Sequence, residues 1–128
     1  MKAEGKSRAR LCGFALLGVA ALLGGAAFVH AHAILKSSIP ASGSTVTGPD
    51  IAVTLTFNVR VDVARSKLQL LMPDTTTVDL PEGKQPSPDT LVSQIKGIMP
   101  GAYTIRWQVL APDGHISRGE IPFKVKGN

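Results

Sequence analysis

The chemistry available to this sequence rests on His32, Asp113 and His115. Asp113-Gly114-His115 places a carboxylate and an imidazole two residues apart. On an extended chain, residues at that spacing project to the same side with α-carbons roughly 6.5–7 Å apart, close enough to converge on one ion. Gly114 removes the intervening side chain and frees the backbone to turn. His32 adds a second kind of donor if the chain is cut after Ala31. Its α-amine has an ordinary pKa of about 8, so a strongly Lewis-acidic metal can displace the proton near neutral pH. Amine nitrogen and Nδ1 then close one chelate ring. Amine, imidazole, carboxylate and imidazole make a tetragonal set, which Cu(II) prefers among the divalent ions.

Taken singly, each element has a plainer reading. Asp-Gly is a hairpin-turn signal in its own right, and a terminal histidine can be a by-product of leader cleavage. Other chemistry is poorly supplied. There is no glycine-rich phosphate loop, no G-x-S-x-G elbow, no H-E-x-x-H and, beyond residue 31, no cysteine to act as a nucleophile.

The position of His32 depends on the leader. Lys2, Lys6, Arg8 and Arg10 precede a run of apolar residues and glycine over 11–29, and Val29-His30-Ala31 offers the small-x-small pattern of a signal-peptidase site. Residues 1–31 are expected to be a cleavable secretion signal rather than a retained membrane anchor. The remaining residues 32–128 carry ten basic against eight acidic side chains, so the net charge of +5 for the whole chain overstates the basicity of the working protein. That near-balance argues against a nucleic-acid partner. Cys12 leaves with the leader, so the exported domain must be held by its core, without a disulfide.

Strands must position the candidate ligands. Ile51, Val53, Leu55 and Phe57 alternate with Ala52, Thr54 and Thr56, and the alternation runs on through Val59, Val61 and Val63. Leu68, Leu70 and Met72 repeat the pattern, as do Val78 and Leu80, residues 91–95, and Tyr103, Ile105, Trp107 and Val109. Ile121, Phe123 and Val125 close the chain. Turn residues such as Pro73-Asp74, Pro100-Gly101 and Pro112-Asp113-Gly114 separate these runs. The pattern predicts an all-β domain over 32–128, a small antiparallel Greek-key barrel or sandwich of immunoglobulin-like or cupredoxin-like type.

The stretch from His32 to Gly43 followed by Val46, and Gly101-Ala-Tyr103-Thr-Ile-Arg-Trp107 followed by Asp113-Gly-His115, Gly119 and Phe123-Lys-Val125, resemble the CopC family of periplasmic copper-binding proteins. The resemblance covers essentially all of 32–128. It implies a seven-stranded Greek-key β-barrel, high-affinity binding of Cu(II) in the periplasm, and association with a membrane copper-transport protein of the CopD type. By the same resemblance His32, Asp113 and His115 are the Cu(II) ligands. Some members hold Cu(I) in a methionine-rich loop. Here the mature chain has only Met72 and Met99, in separate segments. Several soft ligands in one place would be needed, so one Cu(II) ion and no Cu(I) site are expected.

The expected role is a copper carrier or buffer without catalysis, a monomer not embedded in the membrane. Two other classes stay open. A copper-dependent polysaccharide monooxygenase also uses an amino-terminal histidine, but Phe57, Tyr103, Trp107 and Phe123 all fall on apolar strand faces, leaving little to stack on a sugar. A metal-free immunoglobulin-like interaction module would follow if the leader stayed attached.

Overall fold

The computed structural model describes residues 32–128; the expected leader, 1–31, lies outside the described residues. Eight strands follow in order: β1 (Leu35–Ile39), β2 (Thr45–Thr47), β3 (Ile51–Phe57), β4 (Lys67–Leu71), β5 (Thr77–Leu80), β6 (Thr90–Ile95), β7 (Gly101–Leu110) and β8 (Ile116–Lys126). One turn of 3-10 helix, Val63–Arg65, precedes β4. The strands form a three-stranded sheet, β1-β3-β6, and a five-stranded sheet, β2-β8-β7-β4-β5. Only the β4–β5 and β7–β8 links stay within one sheet, so the chain crosses repeatedly between layers, as in a Greek-key sandwich.

The all-β expectation holds, with three corrections. The sheets pack face to face and do not close, so the architecture is a sandwich and not the barrel implied by resemblance. There are eight strands among the described residues rather than seven, and β2 runs parallel to β8. The strand expected to continue through Val63 stops at Phe57. Beyond it the backbone donors leave the β3–β6 ladder: Asn58 donates to the Ile34 carbonyl, Val61 to Pro88 and Asp62 to Leu110. Val61 is still buried, and Val59 and Val63 pack against the core from outside a strand. Alternating hydrophobicity reports alternating burial, which an irregular segment can also satisfy.

The core lies between the inward faces. Val53, Leu55 and Phe57 of β3 meet Ile105, Trp107 and Val109 of β7 and Ile121 and Phe123 of β8, all buried. Phe57 and Trp107 touch edge to face across the layers, with ring centroids 5.1 Å apart. Gly119 pairs with Trp107 across the β7–β8 ladder. A Cβ on Gly119 would stand 2.3 Å from Trp107 Cζ2, so glycine is what lets the indole lie over the neighbouring strand.

Strand directions decide which loops share an end. Leu35 at the start of β1 pairs with Phe57 at the end of β3, and Leu110 at the end of β7 pairs with Ile116 at the start of β8. The Asp62 to Leu110 hydrogen bond, 3.0 Å, ties the loop after β3 to the end of β7. The segment 32–34 and the β7–β8 hairpin tip, 111–115, therefore meet at one end of the sandwich.

Candidate metal centre

The hairpin tip is built by its own turn chemistry. Gly114 N–H donates to the Ala111 carbonyl and Ala111 N–H to the His115 carbonyl, each at 3.0 Å. Pro112 sits second in this turn, where its fixed φ is favourable. Gly114 has φ +84° and open space where a Cβ would be, so its requirement is conformational, not steric.

Within the turn Asp113 makes two contacts to His115. Its Oδ1 accepts from the His115 backbone N–H at 3.0 Å, and its Oδ2 lies 3.0 Å from His115 Nδ1. The backbone donor does most to hold the Asp113 carboxyl below its ordinary range. The His115 side chain and the His32 imidazole act in the same direction, while desolvation opposes them. His115 is thus oriented with Nδ1 toward Asp113, which directs Nε2 away from the carboxylate. An oriented imidazole backed by a carboxylate is a recurring arrangement at metal centres.

His32 reaches this site from β1. The His32 and His115 rings meet with centroids 5.5 Å apart and planes 64° from parallel. Ala33 is buried and anchors the segment to the core. Ile34 is held on both sides by Asn58: its N–H donates to Asn58 Oδ1 at 2.7 Å, and its carbonyl accepts from Asn58 N–H at 3.0 Å. The structure brings together all three residues singled out from the sequence. Among the described residues, no group of three or more His, Cys, Asp or Glu side chains is set to hold a metal ion as it stands. What is present is a cluster of exposed donors at one end, anchored through the backbone. Ala33 and Asn58 carried no signal in the sequence, because their contribution depends on a pairing between distant segments.

A CopC domain is matched over residues 35–126. The chain belongs to the CopC family. It is 32% identical over 101 residues to Protein YobA of Escherichia coli K12, covering 77% of this chain and 82% of that one. The crystal structure of CopC from Methylosinus trichosporium OB3b superposes with a TM-score of 0.70 at 26% identity, covering 76% of this chain and 96% of that one. That of PcoC, a methionine-rich copper resistance protein from Escherichia coli, gives 0.63 at 26% identity, covering 75% and 100%.

The CopC chain described here contrasts with a methionine-rich relative, having three methionines in all. Met72 and Met99, far apart in sequence, line one cleft with Leu70, Leu80, Ile98 and Tyr103. Phe57, Tyr103, Trp107 and Phe123 are all buried, as their strand faces implied. No helix of the described residues is long and apolar enough to cross a membrane.

Proposed function

We propose that this CopC protein is exported to the periplasm, loses residues 1–31, and binds one Cu(II) ion as a carrier or buffer in copper homeostasis or resistance. The observation that carries the reading is the meeting of His32 with the Asp113-Gly114-His115 hairpin at one end of the sandwich. Cleavage converts His32 into a terminus whose amine and Nδ1 form a five-atom bite on the metal. His115 adds an imidazole through Nε2. In the metal-free protein Asp113 holds His115 through Nδ1; on binding, its carboxylate turns from that ring to offer an oxygen to the ion. The ligands are exposed, so rotation of side chains onto a common point costs little.

Three nitrogen donors and one carboxylate suit Cu(II) and leave no soft thioether or thiolate to favour Cu(I). The four buried aromatics leave no stacking platform beside the ligands, which supports a binding role over polysaccharide oxidation. A monomer that passes copper to a CopD-type membrane transporter fits this arrangement.

The test is the amino-terminal mass of the exported protein together with its copper stoichiometry. A chain beginning at His32 with one Cu(II) bound is expected. A chain retaining Met1 removes the amine donor and overturns the site.

A further inference from the structure

We infer that Asn58 is a positioning residue for copper capture: its side chain fixes the backbone of Ile34 and so holds His32 against the hairpin before the metal arrives. This rests on the copper reading above.

The register of the β1–β3 pair explains why a side chain is needed here. Leu35 faces Phe57, so the next pair outward is Ile34 with Asn58. Ordinary strand pairing would exchange two backbone hydrogen bonds between such partners. Only one is backbone to backbone: Asn58 N–H donates to the Ile34 carbonyl. The return bond, from Ile34 N–H, goes to the Asn58 side-chain Oδ1 at 2.7 Å. The pairing is already irregular on this edge, with a register shift between Leu35 and Ser37. β3 has ended at Phe57, and the chain turns away toward Val61 and Asp62. The Asn58 amide oxygen therefore supplies the rung that the departing backbone no longer provides.

The consequence falls on His32. The first residues of a domain fray unless tied down, and a ligand on a frayed end must be ordered when the metal binds, at a cost in affinity. Residue 34 is two positions from His32, so holding it sets where the extended segment starts. Buried Ala33 fixes the intervening residue. Ile34 itself is 61% exposed, so its side chain contributes little anchoring and the backbone clamp carries the load.

The experiment compares the exported protein with Asn58→Ala and Asn58→Asp. Because Asn58 is exposed, neither change opens the core. Asn58→Ala removes the acceptor and is expected to raise the Kd for Cu(II) about tenfold, at the lower end of what loss of a ligand-orienting partner costs. The EPR spectrum of the copper-saturated variant should match the parent, and the Ile34 amide should exchange faster in the metal-free protein. Asn58→Asp keeps an oxygen acceptor and should restore both the affinity and the amide protection. An unchanged Kd, or unchanged Ile34 exchange, in Asn58→Ala overturns the clamp. An altered EPR spectrum at saturation also overturns it, by making Asn58 a ligand. If the parent takes up no Cu(II), the copper reading itself fails and this inference with it; if the parent binds and Asn58→Ala binds equally well, only the clamp fails.

Discussion

The imidazoles of His32 and His115 stand edge to face, with centroids 5.5 Å apart, although one begins the described chain and the other ends a hairpin near its close. Two frames bring them there. The hairpin is rigid because β7 and β8 pair along their whole length, from Gly101 opposite Val125 to Leu110 opposite Ile116. The amino-terminal segment is placed by the buried Ala33 and by Asn58.

Removing the hairpin imidazole should therefore weaken copper binding without harming the fold. His115→Ala is expected to reduce Cu(II) affinity at least tenfold, as expected for loss of one member of a preorganised set. Its copper EPR spectrum should change, because a nitrogen donor is lost. An unchanged spectrum removes His115 from the ligand set. Asp113→Ala should weaken binding too, losing both an oxygen donor and the group that orients His115.

Trp107 provides an optical readout. It is buried, touches Phe57, and lies on the strand that leads into the hairpin. Paramagnetic Cu(II) at the hairpin is expected to quench its fluorescence in proportion to occupancy, saturating at one equivalent. Unchanged emission at saturation places the metal elsewhere.

Gly119 is tied to the same indole. Gly119→Ala puts a methyl 2.3 Å from Trp107 Cζ2 and forces the ring or the strand to move. A loss of about 1–3 kcal/mol in unfolding free energy is expected, the usual range for overpacking a core. Denaturant melts measure it, and a neutral result contradicts the packing described.

Asp89 gives a pH dependence that does not involve the proposed copper ligands. Hydrogen bonds from the Ser87 hydroxyl, foremost, and from Thr90 hold its carboxyl below the ordinary value of 3.8. A carboxyl whose folded pKa is depressed contributes stability that is complete above its unfolded pKa and is lost as pH falls through the folded one. The parent and Asp89→Asn should thus differ in stability near neutral pH and converge as pH drops below about 3.8, the unfolded value. A difference that persists at still lower pH assigns it to packing instead.

Much of this was readable from residue types. The alternating runs marked β3, β4, β6, β7 and β8, because one face of each is buried and period-two burial leaves a period-two sequence, and the shorter Val78 and Leu80 repeat marked β5, where only Leu80 is buried. β1 escaped notice, since Leu35–Ile39 has no fully buried residue and so no alternation to show. Val59, Val61 and Val63 misled for the converse reason: the core reaches them, but their backbone bonds go to separate partners. Asp113, Gly114 and His115 announced themselves because turn residues and ligand residues coincide over three positions. Asn58 did not, because its role exists only once Ile34 is brought opposite it.

In the proposed site, cleavage after Ala31 creates the amine ligand, and a single added residue tests this. Cu(II) titration should compare protein beginning at His32 with protein carrying one extra alanine ahead of it. The extension leaves every side chain in place but ties the His32 amine into a peptide bond. One tightly bound Cu(II) is expected for the first protein, and sharply weaker binding with an altered EPR spectrum for the second. Equal affinity and identical spectra for the two would contradict the proposed site.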